Sequence, residues 1–520
     1  SAEYWSIGAE FKPEGLRQTF IAQLTRIDDK DPEIANVDVT KPILADMEGA
    51  AYSISKIKRG ERRRKPYAPF TTSTLQQDAS RKLGFTTKRT MALAQGLYEG
   101  QDVGEGGTTG LITYMRTDST NISELAQKEA RDFIKSKYGA DYLPEEPQKY
   151  KTKSLGAQEA HEAIRPTSIM REPEKVKSFL EPAMFKLYQL IWQRFVASQM
   201  EAAVYDTVQV EVTGKNAHDY LLRASGSIVK FPGFHVIYQE AKNEDVKSEE
   251  DEDENIRIPP GLEEGQLQEL IRLIPEQHFT QPPPRYSEAS LVATLEENGI
   301  GRPSTYAPTI STIQQRGYVL RIDKRLAPTE IGLHVNDLMM QYFPDIVDYQ
   351  FTARMEEDLD KIAEGQDTWV HVMKEFWEPF SVDLSKAQAE MPVTKSEPEP
   401  VGRKCPEDGG ELVIRHGRFG KFISCANFPA CRYTEPWLEK INVVCPKDGG
   451  EIVERKTRRG RVFYGCLNYP NCDFTSWKKP VAQPCPKCNG LLVIVNNREA
   501  QCINCSETFL LEDVLPEVAE

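Results

Sequence analysis

The spacing of apolar and polar positions changes period several times along this chain. Over residues 4–57 it alternates as in strands, with Pro and Gly interruptions, and predicts a β-rich layer. Pro66-Tyr67-Ala68-Pro69 ends that pattern, and Leu75, Ala79 and Leu83 after Ser73-Thr74 predict a helix with one apolar face. A Gly-rich loop at 104–110 leads to a short apolar strand, Leu111-Ile112-Thr113, and a polar turn at 114–120. Leu125, Ala126, Ala130, Phe133 and Ile134 mark the inward face of a second helix, and helical spacing returns over 184–200. Residues 205–212 alternate strictly and read as a strand with one buried face. Residues 267–273 are expected to form a short helix and Pro282-Pro283-Pro284 a stiff linker. Helices, including 287–297 and 355–363, dominate up to about residue 389, and 390–403 reads as an extended linker.

The remainder repeats with a period of forty residues. Cys405-Pro-Glu-Asp-Gly-Gly-Glu-Leu recurs as Cys445-Pro-Lys-Asp-Gly-Gly-Glu-Ile and as Cys485-Pro-Lys-Cys-Asn-Gly-Leu-Leu. All ten cysteines lie beyond position 400, which excludes dispersed disulfides in the body and points to metal. Cys485-x-x-Cys488 with Cys502-x-x-Cys505 has the two-knuckle spacing of a tetrahedral zinc site. The first two units hold three cysteines each: Cys405, Cys425, Cys431, and Cys445, Cys466, Cys472. Asp408 and Asp448 stand where the fourth would be, so each unit is either a Cys₃Asp zinc site or a degenerate ribbon folding without metal. Aromatics from Phe419 to Trp477 interleave with Arg418, Lys421, Arg458, Arg459 and Arg461. Some must fill the ribbon cores; others suit stacking on unpaired bases, about 1–3 kcal/mol per base.

At 520 residues the chain has room for several domains. With 39% hydrophobic and 28% charged residues it is ordinary for a soluble globular protein. No apolar run suggests a membrane span, and no secretion signal opens the chain, which starts at Ser1 as though cut. The net charge of −14 argues against a nucleic-acid partner only on average. An acidic block at 243–255, NEDVKSEEDEDEN, reads as a solvated run. The basic run at 56–65 reads as a solvated loop, or as a strip that meets DNA by charge.

One constellation carries covalent chemistry. A phenol, with a reference pKa of about 10, attacks phosphorus only beside a positive group that also stabilises the growing charge. Arg116, two residues after Tyr114, reaches the same face of an extended turn, and its guanidinium suits a phosphodiester. QEAHEAIRPT at 158–167 adds His161 and Arg165. By spacing alone, most tyrosines beside an arginine are packing residues. The longer words are more specific. GLITYMRTDST at 110–120 resembles the active-site segment of type IA DNA topoisomerases of the bacterial topoisomerase I kind, and EAHEAIRPT resembles that family's histidine segment. PFTTSTLQQDASRKLGF at 69–85, the long block at 279–319 containing GIGRPSTY, and FTARMEEDLD at 351–360 resemble it in the same order. The repeats resemble its zinc ribbons.

The resemblance implies a multidomain α+β protein: a β-rich arch from 1–67 and 201–270, and an inserted helical domain, 68–200, bearing the nucleophile. A mainly helical DNA-binding domain at 271–389 and ribbons at 404–438, 444–479 and 484–510 follow. Tyr114 would form a 5′-phosphotyrosyl bond, Arg116 would clamp the phosphate, His161 would position the reacting groups, and Arg165 and Arg354 would touch the backbone. Negative supercoils would be relaxed without ATP, with the inserted domain lifting on hinges near Tyr67 and Met200. Zn²⁺ is implied in the ribbons. The family's Mg²⁺ site belongs to a toprim domain that precedes the region matched here, so this chain alone is expected to be inactive. Implied partners are single-stranded and negatively supercoiled DNA and RNA polymerase, for a cytoplasmic, nucleoid-associated monomer. GIGRPSTY is either a phosphate-facing helix start or a loop capped by Ser304 or Thr305. Competing readings are a non-catalytic single-strand-binding protein and the sister enzyme topoisomerase III.

Overall fold

In the computed structural model, six long strands close into an antiparallel barrel. Residues 2–104, 106–151, 161–239, 258–391, 399–417, 420–456, 462–496 and 499–511 are described. The barrel strands are β1 (Glu3–Pro13), β2 (Phe20–Ile27), β3 (Ala51–Arg64), β6 (Ala203–Lys215), β7 (Asp219–Phe231) and β8 (Leu267–Phe279), in the order β1-β2-β7-β6-β3-β8. Every second residue points inward: Ile7, Ala9 and Phe11 on β1, Tyr52 and Ile54 on β3, Val210 and Val212 on β6, Tyr220, Leu222 and Ala224 on β7. Closure removes the sheet edges that an open arch would expose.

The expected helix at 267–273 is therefore a strand. β8 pairs with β1 from Glu3↔Phe279 to Pro13↔Gln268, and the register shifts so that Glu10 faces Arg272 and Phe11 faces Leu270. Ile271 is the bulged extra residue, and it resets the two-residue alternation to a spacing that imitates a helix. The barrel thus runs to residue 279 rather than 270. Within the expected β-rich layer lies a helix, α1 (Val37–Glu48), whose N-cap Asn36 accepts from the amides of Asp38 and Val39. The basic run is no loop: most of it forms the outer half of β3. The acidic block lies outside the described residues.

The pairing of β3 with β6 runs from Ala51↔Lys215 to Arg64↔Ala203, so the inserted domain leaves and re-enters the sheet at neighbouring residues. β3 meets β8 only at Tyr52 and Ser53, and β7 meets β2 only up to Arg223. The outer halves of β3, β6 and β7 thus form a three-stranded arm, in which Gly60 pairs with Thr207 and Gly226 with Val208. The inserted domain packs α2 (Thr72–Leu83), α3 (Thr87–Glu99), α4 (Glu124–Tyr138), α5 (Pro173–Val176) and α6 (Pro182–Ser198) around Phe70, Leu75, Leu97, Leu111, Tyr188 and Phe195. Two-residue strands β4 (Gln101–Asp102) and β5 (Thr108–Thr109) pair beside α3. Leu125, expected inside, is 69% exposed; the buried face of α4 is Ala126, Ala130, Phe133 and Ile134. The expected strand at 111–113 is a single bridge, Ile112 to Pro166.

The two crossings near Tyr67 and Met200, expected to be hinges, are heavily bonded. The Tyr150 hydroxyl donates to Ser198 O at 2.6 Å, Gln148 Nε2 to Met200 O at 3.1 Å and Glu201 N to Tyr142 O at 2.9 Å. Buried Arg194 donates to Ala68 O at 2.6 Å and to the Tyr238 hydroxyl at 2.9 Å, with the rings of Tyr67, Phe70 and Tyr238 about its guanidinium.

Beyond β8, helices Glu288–Glu297, Tyr306–Gln315, Glu330–Tyr342, Pro344–Val347, Tyr349–Ala363 and Trp369–Glu390 enclose one hairpin, β9 (Val319–Ile322) with β10 (Arg325–Pro328). This region is docked on the inserted domain: Ser73 Oγ donates to Glu296 Oε2 and Thr87 N to Glu288 Oε2, each at 2.7 Å. No described helix is long and apolar enough to cross a membrane.

The second compact unit, Pro392–Glu520, holds three four-stranded antiparallel sheets. They are β11 (Glu399–Lys404) to β14 (Thr434–Pro436), β15 (Glu439–Val444) to β18 (Thr475–Ser476), and β19 (Pro480–Pro484) to β22 (Thr508–Leu510). Between them come β12 (Glu411–Gly417), β13 (Gly420–Cys425), β16 (Glu451–Lys456), β17 (Val462–Cys466), β20 (Leu491–Ile494) and β21 (Glu499–Cys502). Each sheet begins before its first cysteine, so the expected linker at 390–403 contains most of β11.

Arg194→Ala leaves buried acceptors without a donor and removes the plate between three rings. It should lower the unfolding free energy of the inserted domain by about 1–3 kcal/mol, read by native-state hydrogen exchange of that domain's core amides. Arg194→Lys should restore little, because an ammonium lacks the planar face.

Candidate active site and zinc ribbons

The tyrosine segment is held from the N-terminus of α2. Thr72 N donates to Thr117 O at 2.9 Å; its hydroxyl donates to Met115 O at 2.6 Å and accepts from Thr117 N at 2.9 Å. Met115 and Thr117 are buried, while Tyr114 and Arg116 between and beside them are exposed, Tyr114 to 42%. The segment bends at Met115 and Arg116 and leaves phenol and guanidinium on its open side. The Tyr114 ring lies edge-on to Tyr98 at 5.3 Å, and neither its hydroxyl nor the Arg116 guanidinium bonds to another described residue. Gly110 makes the approach to α3 possible: a Cβ there would stand 2.8 Å from Tyr98 O.

The histidine segment runs alongside. Thr113 N donates to Arg165 O at 2.9 Å, Thr113 Oγ1 to Ala163 O at 2.7 Å, and Ala163 N to Asn121 O at 2.8 Å. His161 lies at the exposed start of this stretch and bonds to no described residue; 152–160 lie outside the described residues. Arg165 is brought to the site but its guanidinium is occupied. Nε and Nη2 donate to the Glu162 carboxylate at 2.7 and 3.1 Å, and Nη1 donates to Pro166 O at 3.0 Å. Burial would raise the Glu162 carboxyl, but Arg165 and the Ser123 amide hold it below its ordinary value of 4.5.

Arg354 is on a different element, the helix Tyr349–Ala363, largely exposed and 3.8 Å from Asp348; no bond ties it to the tyrosine segment. In GIGRPSTY, Thr305 occupies the N-cap of Tyr306–Gln315, yet its hydroxyl turns back to accept from Arg302 N at 2.8 Å rather than capping. The Arg302 guanidinium is bound to Asp360 at 2.7 Å and Gly301 O at 2.9 Å, which ties this loop to the helix bearing Arg354.

Each ribbon gathers four donor atoms within 4.8 Å of one another: Cys485, Cys488, Cys502 and Cys505; Cys405, Asp408, Cys425 and Cys431; Cys445, Asp448, Cys466 and Cys472. The Cys405–Cys431, Cys445–Cys472 and Cys485–Cys505 sulfurs are 3.7 Å apart. A tetrahedron with Zn–S bonds of about 2.3 Å has edges of roughly 3.8 Å, so the donor sets fit zinc. The side chains of Arg418, Phe419, Arg458, Arg459 and Arg461 lie outside the described residues. Phe428 and Tyr469 are 54% and 62% exposed, with Arg415 and Arg455 over their rings at 5.7 and 5.5 Å.

Residues 1–374 match the DNA topoisomerase family. The chain belongs to that family, on its bacterial type IA topoisomerase I branch. Residues 402–440, 442–481 and 482–507 each match the topoisomerase DNA binding C4 zinc finger. Full-length topoisomerase I from Thermotoga maritima is similar at 32% identity with a TM-score of 0.62, over 84% of this chain. The chain spans 66% of that protein's length. Family membership accounts for the mixed α+β architecture and for zinc in the ribbons.

Three positions that hold the site were not singled out from sequence: Thr72, Tyr98 and Glu162. Glu162, three residues before Arg165 in the histidine segment, offered a spacing signal; Thr72 and Tyr98 offered none, because their partners are set by the fold. The stability Glu162 contributes is complete above its unfolded pKa and is lost as pH falls through the lower folded value. Glu162→Gln should therefore be less stable than the parent at neutral pH by about 1–3 kcal/mol. The difference should close below pH of about 4; a gap that ignores pH in denaturant titrations would refute the ionic origin.

Proposed function

We propose that the chain carries the nucleophile of a type IA DNA topoisomerase that relaxes negatively supercoiled DNA. The supporting observation is the exposed Tyr114–Arg116 edge on a segment otherwise buried and bonded to Thr72. The Tyr114 oxygen attacks a backbone phosphorus; the O–P bond forms as the P–O3′ bond breaks, the phenol gives up its proton and the leaving 3′-oxygen takes one up. The product is a 5′-phosphotyrosine, which conserves the bond energy, so religation reverses the step without ATP. Arg116 grips the non-bridging oxygens and neutralises their charge. His161 positions the reacting groups. Arg165, committed to Glu162, is a positioning residue rather than a DNA contact, whereas Arg354 is open enough to meet backbone phosphate. Exposed Phe428 and Tyr469 suit unpaired bases of single-stranded DNA. That feature also favours a second reading, a single-strand-binding protein that does not use Tyr114.

Among the described residues the groups able to hold a metal are the three ribbon clusters, and these do not fit the acidic Mg²⁺ site of the family. We infer that this chain alone does not relax DNA.

Incubation of the chain with Mg²⁺ and negatively supercoiled plasmid should leave the plasmid supercoiled on a gel; relaxation would overturn the proposed dependence on a further domain. Fused to the acidic Mg²⁺-binding domain of a relative, the chain should capture a 3′-labelled single-stranded oligonucleotide in a denaturation-resistant adduct. Tyr114→Phe should abolish the adduct and Arg116→Ala should slow its formation by about 10²-fold. Adduct in the phenylalanine variant would remove Tyr114 from its role, and binding without adduct in the parent fusion would favour the second reading.

A further inference from the structure

We infer that Asp408 and Asp448 are zinc ligands, so that the chain holds three zinc ions in two chemical classes: two Cys₃Asp sites and one Cys₄ site. This assignment is independent of the reaction given to Tyr114. It departs from the four-cysteine pattern of the family that all three ribbons match.

The first argument is equivalence within the chain. Asp408 and Asp448 stand three residues after Cys405 and Cys445, as Cys488 does after Cys485. The three knuckles fold alike. Cys405 N donates to Gly410 O at 2.7 Å, Cys445 N to Gly450 O at 2.6 Å and Cys485 N to Gly490 O at 2.8 Å. The intervening Gly409, Gly449 and Asn489 all adopt positive φ, at 72°, 72° and 60°. The carboxylates therefore stand where the third ribbon places a thiol, and all three groups at this slot are exposed.

The second argument is aim. Asp408 Oδ1 is 3.2 Å from Cys425 Sγ and Asp448 Oδ1 is 3.3 Å from Cys466 Sγ; the matching Cys488–Cys502 sulfurs are 3.4 Å apart. A zinc bound by one oxygen at about 2.0 Å and a sulfur at about 2.3 Å would set that edge near 3.5 Å. Zinc ligation requires these thiols as thiolates, and three thiolates with a carboxylate hold such distances only with a cation among them.

The third argument is support around the ligand. The Gly410 and Gly450 amides donate to Oδ1 of Asp408 and Asp448, each at 2.9 Å. Asn427 Nδ2 donates to Asp408 Oδ2 at 2.9 Å, and Asn468 Nδ2 to Asp448 Oδ2 at 2.8 Å. A carboxylate has about four lone-pair sites, so these bonds fix its direction while leaving a pair for metal. Metal-binding carboxylates are commonly oriented by such outer partners. Asparagine also stands two residues after the third-site cysteine in the last ribbon, as Asn504, whose backbone N–H faces the Cys502 sulfur at 3.4 Å, as that of Asn468 faces Cys466.

Oxygen is the harder donor and thiolate the better match for zinc among these ligands, so the two carboxylate sites release metal first. The zinc-loaded, desalted 520-residue chain should contain three zinc ions by elemental analysis. A chromophoric chelator should take two quickly and the third slowly. Asp408→Cys with Asp448→Cys should keep all three and convert the fast pair to slow release. Asp408→Asn with Asp448→Asn should retain one. Asn427→Ala should weaken the first site by about 10–100-fold in chelator competition, leaving the third unchanged. One zinc in the parent, three in the double asparagine variant, or a release profile unaltered by the double cysteine variant would each overturn the assignment. The cysteine variant keeps the test decisive should the asparagine variant fail to fold.

Discussion

The pairing of β3 with β6, kept up from Ala51↔Lys215 to Arg64↔Ala203, constrains the rest of the first unit. The chain leaves one strand, builds a five-helix domain and returns beside its point of departure. The domain therefore needs its own core, and Phe70, Leu75, Leu111, Tyr188 and Phe195 supply it. That core seats the N-terminus of α2, from which one threonine hydroxyl grips the backbone on either side of Arg116. The exposure of Tyr114 is thus a consequence of packing elsewhere: its neighbours are anchored inward and it has nowhere to go but out.

The ribbons obey the opposite economy. Each has only a handful of buried aliphatic side chains, such as Leu412 and Ile423 in the first and Ile452 and Val443 in the second. Units this small rarely reach useful stability by apolar burial, and the cysteines sit inside the same clusters as those aliphatics. Metal and core are one structure there, so ligand identity bears directly on folding.

The legibility of the chain followed the range of the interactions. Helices α2, α4 and α6 and strand β6 showed in local periodicity, and the forty-residue repeat displayed the ribbons. The β8 strand did not, because a bulge at Ile271 breaks its alternation and only pairing with β1 reveals it. The first strand of each ribbon was hidden because it precedes the cysteines that mark the repeat. At the site, the words around Tyr114 and Arg116 carried the resemblance. The spacing of Glu162 and Arg165 hinted at their pairing, but the bridge from Thr113 to the 163–165 backbone, which brings Arg165 beside the tyrosine segment, is encoded by no local pattern. Family membership then confirmed the architecture, while residue roles rest on the chemistry argued above.

The three-stranded arm between barrel and inserted domain has a soft level. Gly60 faces Thr207 and Gly226 faces Val208 on the central strand, so in each of these two adjacent rows one strand of three lacks a side chain, about halfway along the arm. With one side chain fewer in each of these rows, cross-strand packing is thinned on one flank and then on the other. Bending there would swing the helical domain as one piece, with the bonded junction at Ala68, Ser198 and Met200 riding along intact. The elastic element would then be the sheet itself, and the tyrosine would travel on a lever whose length is set by the residues between Gly60 and Arg64.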